Sequence, residues 1–419
     1  GAGHEGQEQP AEEGLDARLR QTRTYWQQWF DGSKAAGVQH ENTYKDALRK
    51  SLMVIKAHTD RRGGIIASCD SSIYNYGRDY YSYVWPRDGA YAIWPLIKLG
   101  FLEEPRMFFE FCRDIMSPDG YMMHKYQPDR AIGSTWHPLL HGKHQELAIQ
   151  EDETAIIIVM LGEYLKYTSD KDFVFSLYST FVQPAANFIT SFIDDHTKLP
   201  HASYDLWEEK FATHTYTVAT CYKALVVAAQ LAETFEYPDD AVNWYRMAHQ
   251  IKDSRHVFFD KERGALRKSF LLQDDGSLLF DNTLDISSLY GAVAFGLFDA
   301  EDEEVVQTVA HCNELLLAQS PSGGVPRYEH DRYFESDPSF LGNPWFVTTL
   351  WLADYNGLNT DGSLKTTVDW VLAHALPSGV LSEQIDPSTG KALSVTPLVW
   401  SHAELINALL LLADAETTK

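Results

Sequence analysis

Residues 153–165 read ETAIIIVMLGEYL, and this stretch decides the fold. Apolar side chains occupy almost every position, so a helix built from it has no polar face to offer water and must be enclosed by other elements. Residues 237–253, YPDDAVNWYRMAHQIKD, show the opposite habit. They keep a polar stripe beside an apolar one, as a helix at a protein surface does. One enclosed kind of helix and one half-wetted kind imply a two-layer, all-helical protein.

Outward from these two, apolar spacings of three and four predict helices over 43–58, 87–101, 104–116, 153–167, 171–193, 216–234, 238–258, 287–298, 302–317, 343–357, 362–375 and 400–415. The connections alternate between long and short. Short links such as 168–170 and 299–301 force antiparallel neighbours. The long loops, 59–86, 117–152, 194–215, 259–286, 318–342 and 376–399, must then all emerge at one end. Twelve antiparallel helices with six elaborated loops on one face predict an (α/α)6 barrel, a ring of six inner helices inside six outer ones. An open solenoid and a pair of bundles are the alternatives. With no clear repeat and no Pro/Gly/Ser-rich linker, residues 41–419 read as one closed domain. Ahead of it, residues 1–15 read as a polar, acidic tail and 16–30, within LDARLRQTRTYWQQWF (15–30), as a lone amphipathic linker helix, so that 1–40 stand outside the barrel.

Composition narrows the partners. The chain has 35 Lys plus Arg against 59 Asp plus Glu, a formal charge of −24, which argues against nucleic acid or an anionic membrane as main partner. The 11 Trp, 22 Tyr and 21 Phe fit a carbohydrate ligand, whose apolar faces stack on aromatic rings, although most must be core. Four widely spaced cysteines, Cys69, Cys112, Cys221 and Cys312, form neither a zinc knuckle nor a dense disulfide framework and favour a reducing, cytoplasmic setting. No apolar run reaches membrane-spanning length, and the first residues lack both an initiator Met and the apolar core of a signal peptide, so Gly1 reads as a processed or an engineered end.

Chemistry points to the loop end. YDLWEEK, 204–210, lies in the third long loop and Glu383, in LSEQIDP, in the sixth. On a closed ring of six these loops face each other. That sets Glu208 or Glu209 across a central pocket from Glu383, the arrangement in which one carboxylic acid protonates a leaving oxygen while a carboxylate activates water on the opposite sugar face. Taken alone, the two glutamates could equally sit at the positive end of a helix. In YSYVWPRDGAY, 81–91, Arg87 and Asp88 offer a planar donor fork and a two-oxygen acceptor for neighbouring hydroxyls, or else a salt bridge at a helix start. GVPRYEHDRYF adds Arg327 and FLGNPWF adds Trp345. The histidines of TWHPLLHGKH, His137, His141 and His144, are interrupted by Pro138 and Gly142, which break the helix that metal spacing would need. No GxSxG, GxxxxGK[ST] or strand-borne GxGxxG is present.

With YVWPRD, YDLWEE, RY…GNPWF and SEQID…W in this order, the chain resembles the glucoamylase-type glycoside hydrolases, family 15, from Tyr83 to about Ala415. The resemblance implies an (α/α)6 barrel that removes glucose from the non-reducing ends of α-1,4 or α-1,6 gluco-oligosaccharides or polysaccharides with inversion. It implies Glu208 as general acid and Glu383 as general base, with Arg87 and Asp88 on the terminal glucose. It also implies Trp207 and Glu209 in the wall around that glucose, Arg327 on its hydroxyls, and Trp345, Tyr83 and Trp85 lining the pocket. The fungal members carry a Trp-Gly-Arg-Pro-Gln run before the fourth helix; here the chain reads HQELAIQEDET, where only Gln150 and Asp152 correspond, so the site beyond the first glucose departs from theirs. Prokaryotic members carry a β-sandwich domain ahead of the barrel. Residues 1–40 are too short for one, which implies that it has been removed or is a separate chain.

The expected mechanism has Glu208 protonate the glycosidic oxygen while ionised Glu383 takes a proton from water. The neighbouring Glu209 and the apolar Trp207 would keep Glu208 protonated. Inversion predicts a carboxyl separation of roughly 6.5–9.5 Å. No metal or organic cofactor is required. Rival expectations are a trehalase of the same family and a non-catalytic glucan-binding or regulatory barrel.

Overall fold

In the computed structural model, residues 11–38, 40–72, 80–317, 319–357 and 362–417 are described. Residues 1–10 of the expected tail lie outside them. The linker helix α1 spans Ala11–Asp31 and so begins five residues before its expected start; the single Gly14 costs about 1 kcal/mol, too little to stop a helix. Near its far end the Trp29 indole stacks on Phe101 at 4.3 Å and donates to Glu104.

The barrel follows as α2 (Asn42–Ala57), α3 (Pro86–Lys98), α4 (Glu103–Ile115), α5 (Glu151–Thr168), α6 (Lys171–Ser176), α7 (Gln183–Ser191), α8 (Thr215–Thr234), α9 (Pro238–Ser254), α10 (Ile286–Ala294), α11 (Glu303–His311), α12 (Phe346–Gly357), α13 (Ser363–His374) and α14 (Val399–Thr417). Helix α3 packs on α5, α5 on α8, α8 on α10, α10 on α12, α12 on α14, and α14 back on α3. That circuit closes the inner ring. The outer helices lie against it as hairpin partners, with α2 returning from the start of the chain to pack on α14. The architecture is the (α/α)6 barrel.

ETAIIIVMLGEYL sits in α5, buried on almost every side. Its Gly162 permits the close approach of α8, since an added Cβ would lie 2.5 Å from Val227 Cγ1. The single helix expected over 171–193 is broken between α6 and α7 by a wide turn at Tyr178–Val182. Pro184, lacking an N–H, cannot continue the preceding ladder.

Every long loop feeds the N-terminus of an inner helix. Six partial positive charges therefore open on one end of the barrel. The third and fourth loops share one sheet: β1 (Ser203–Tyr204), β2 (Phe211–His214), β3 (Ser269–Leu272) and β4 (Leu278–Asp281) pair antiparallel in that order, with Thr213 opposite Phe270 and Phe270 opposite Phe280. The barrel axis is filled beneath the loops. Tyr290 stacks on Trp351 at 4.0 Å, and the Tyr91 and Tyr216 hydroxyls meet at 2.8 Å. No described helix is long and apolar enough to cross a membrane.

Candidate active site

The YDLWEEK segment is the turn between β1 and β2, closed around Asp205. Asp205 Oδ1 accepts from the backbone N–H of Glu209 (2.7 Å) and of Lys210 (2.9 Å), and its carbonyl accepts from Glu208 N–H at 2.9 Å. Glu208 is left at φ +65°, a left-handed conformation that costs a non-glycine residue on the order of 1 kcal/mol and persists only where the surroundings over-determine it. The side chain of Trp85, at the start of α3, reaches over and donates its indole N–H to Glu208 Oε1. Burial drives the Glu208 pKa up to about 7; Lys125, Arg87 and the Trp85 hydrogen bond oppose it, and Asp88 adds to it.

The expected tuning by Glu209 is corrected here. Glu209 turns away, placing Oε1 2.7 Å from Arg327 and Oε2 on the Tyr328 hydroxyl. A carboxylate neutralised by a guanidinium exerts little push on its neighbour. The like charge acting on Glu208 is Asp88 instead. Asp88 is itself raised to about 6, by burial first, with Arg87 opposing and Glu383 reinforcing.

Glu383 comes from the sixth loop. Its Oε1 accepts from the Tyr81 hydroxyl at 2.9 Å and its Oε2 from Gln384 Nε2 at 3.0 Å, while Tyr81 and Tyr333 hydroxyls meet at 2.6 Å. Burial raises its pKa, and Ser394 first, then Gln384, Tyr81 and the charge of Arg327, restrain the rise.

Both glutamates line one cavity of about 1220 Å³, together with Trp85, Arg87, Asp88, Trp207, Glu209, Arg327 and Trp345. Three expected lining residues stand behind it. Tyr83 presents its ring edge-on to Trp85 at 6.0 Å, with the Lys125 ammonium 4.6 Å from its centroid. Gln150, the residue before α5, and Asp152, in its first turn, are fully buried and accept from Arg87 Nη1 at 2.7 and 3.0 Å. They correct the expectation of sugar contact: at the start of an enclosed helix their side chains point into the barrel, where the guanidinium is their partner. Glu153 joins them 3.4 Å from Nη2, so the donor fork expected to hold hydroxyls is held by carboxylates. Arg327 is likewise engaged, with Asp331 at 2.7 and 2.8 Å, inside a cage of Trp207, Trp345, Tyr328 and Tyr333.

The sequence missed several cavity residues. Tyr81 stood in the quoted YSYVWPRD stretch but carried no signal apart from its neighbours. Trp136, half-exposed at the cavity wall, donates its indole N–H to the Glu208 carbonyl at 3.4 Å. It stands in the histidine-rich run, TWHPLLHGKH. The histidines there scatter, His137 stacking on Tyr204, His141 on Phe211, and His144 bonding Asp274.

The sequence profile described as Glycosyl hydrolases family 15 matches residues 42–365 and 358–410. Among curated proteins, the chain is 28% identical over 383 residues to an uncharacterized glycosyl hydrolase of Methanocaldococcus jannaschii, covering 87% of this chain and 56% of that one. It is 25% identical to Trehalase 2 of Sulfolobus acidocaldarius, over 91% of this chain and 66% of the relative. The chain thus spans just over half to two-thirds of the length of these relatives. Among solved structures, a bacterial glucoamylase complexed with acarbose superposes with a TM-score of 0.73 at 21% identity, over 90% of this chain and 57% of the other. The glucoamylase of Saccharomycopsis fibuligera gives 0.69 at 17%, over 90% and 96%.

Proposed function

The chain belongs to glycosyl hydrolase family 15, and on that premise we propose that it is an inverting, exo-acting α-glucoside hydrolase that releases β-glucose from the non-reducing ends of α-1,4 or α-1,6 gluco-oligosaccharides. One observation carries the proposal: two carboxyl groups from loops on opposite sides of the ring line one cavity, and burial raises the pKa of one of them to about 7. Glu208 is then the general acid that protonates the glycosidic oxygen. Glu383, aimed by Tyr81 and Gln384, is the base that takes the proton from water. Asp88 is the acceptor for hydroxyls of the terminal glucose, with Arg87 as its rigid neighbour; Trp207, Glu209, Arg327 and Trp345 form the wall. Exo-action needs a pocket closed at one end, and the rings packed against Trp207 and Trp400, which line the cavity, support that reading: Trp400 stacks on Tyr91 at 5.0 Å and Trp351 on Tyr290 at 4.0 Å.

A trehalase is the second reading. The similarity to Trehalase 2 favours it, and a blind pocket also accepts either glucose of a non-reducing disaccharide. Proton NMR of the sugar released within minutes from maltose, isomaltose and trehalose tests both readings. Hydrolysis frees both sugars and the leaving glucose keeps the anomeric state it had in the disaccharide, so early β-glucose in excess of that contribution identifies an inverting cleavage and its linkage, whereas an early excess of α-glucose from maltose or isomaltose overturns inversion. No turnover of any by this chain would point either to a missing β-sandwich domain or to a non-catalytic barrel.

The same assignment fixes the sign of the pH response. The acid must be protonated, so kcat is expected to fall as pH rises through about 7. The base must be ionised, so activity also falls on acidification. A pH–kcat profile without the alkaline limb, in the native chain, would remove Glu208 from the acid's role.

A further inference from the structure

Lys268 immediately precedes β3 and is buried. Its backbone is fixed by two bonds, accepting from Thr215 N–H at 3.1 Å and donating to the Asp281 carbonyl at 3.0 Å. Its ammonium lies 3.2 Å from Asp285 Oδ2, 3.6 Å from Asp205 Oδ2 and 3.6 Å from the centroid of the Tyr328 ring. Each carboxylate grips one side of the acid's turn. Asp205 clamps the backbone N–H groups that follow Glu208. Asp285 accepts the Trp207 indole N–H at 3.1 Å and caps α10 through Ser287 N–H at 2.8 Å. The groups facing this centre are Asp205, Asp285, Glu209, Arg327, His214 and Tyr328. Lys268 does not line the cavity.

We infer that Lys268 is a positioning residue for the general acid: one buried ammonium, carried by the fourth loop, locks the two carboxylates that hold Trp207 and Glu209 and so keeps the intervening Glu208 in its left-handed pose. The physics is that of a buried charge with two partners. Removing the cation leaves Asp205 and Asp285 facing each other uncompensated, and such carboxylates separate or take up protons. Either response loosens a turn whose backbone conformation is unfavourable by itself. Burial opposes the charge on Lys268, but Asp285, Asp205 and Glu209 outweigh it and keep the ammonium charged. The effect is expected chiefly on proton donation, because Glu383, Asp88 and Trp345 stand on other elements, while Trp207 and Glu209 flank Glu208 in the turn itself.

This inference rests on the assignment of Glu208 as acid, and the test separates the two. Lys268→Met and Lys268→Arg would be compared with the native chain and with Glu208→Gln. Each would be assayed on the disaccharide the native chain cleaves and on α-glucosyl fluoride, whose leaving group needs little protonation. Lys268→Met is expected to lose roughly 10²-fold in kcat on the disaccharide, the lower range of a general acid's contribution. It should lose far less on the fluoride, with KM little changed, and Lys268→Arg should recover most of the loss. Equal losses on both substrates, or no loss on either, would overturn the positioning role. If Lys268→Met does not fold, Lys268→Gln, which keeps a donor without the charge, answers the same question. Failure of Glu208→Gln to show the selective pattern would instead strike the acid assignment itself.

Discussion

Glu383→Gln is expected to lose roughly 10²–10⁴-fold in kcat on whichever glucoside the protein cleaves, with KM changed little. The substitution keeps the size and shape of the side chain, so the cavity and its aromatic wall stay in place. What disappears is the ability to accept a proton from the attacking water. The surrounding hydrogen bonds sharpen the expectation. In the native site both carboxylate oxygens accept, one from Tyr81 and one from Gln384. A carboxamide offers only one accepting oxygen, so its NH₂ must face a donor, either the Tyr81 hydroxyl or the Gln384 amide. The Tyr81 hydroxyl can turn, because Tyr333 stands 2.6 Å away to exchange with it. The fold should therefore survive, as a thermal unfolding midpoint close to the native value would show. A variant that folds normally and retains the native rate would end the case for Glu383 as base.

Arg87→Met is expected to produce the largest change in stability, about 3–5 kcal/mol by the measure of a buried ion pair broken from one side. Arg87 is 2% exposed and bonds Gln150, Asp152 and Glu153 from the first turn of α3 across to the start of α5. Methionine fills part of the volume but leaves two buried carboxyls without their cation. Burial already raises the pKa of Asp152 and of Glu153, and Arg87 is what holds both down. Without it they rise further. A carboxyl whose folded pKa lies above its unfolded value favours the folded state at low pH and is a growing cost as pH climbs past the unfolded value. The deficit of Arg87→Met should thus be small near pH 5 and large near pH 8. Guanidinium unfolding at both pH values measures it, and a deficit independent of pH would mean that the carboxyls are not what Arg87 serves.

Much of this protein is written locally. An apolar run such as ETAIIIVMLGEYL can only be an enclosed helix, and the alternation of short and long links orders such helices into a ring, because both signals depend on the residues next to one another. The order of loops alone set Glu208 or Glu209 across the axis from Glu383, and the family resemblance chose Glu208. The boundaries were less legible where a local cause competed. Pro184 split one outer helix, and α1 extended through Gly14 into the expected tail.

What no local pattern carries is the direction in which a long polar side chain spends its hydrogen bonds. Sequence made Glu209 the tuner of Glu208 because they are adjacent, yet Arg327 and Tyr328, more than a hundred residues away, claim Glu209. It gave Gln150 and Asp152 to the sugar, while the ring's closure delivers them to Arg87. Tyr81, Trp136 and Lys268 acquire their places only once loops distant in the chain meet. Helix propensity and apolar periodicity act over a few residues and are fixed by sequence. The pairing of buried charges is settled by whichever partner tertiary packing brings within about 4 Å, where a low-dielectric interior makes that choice strong.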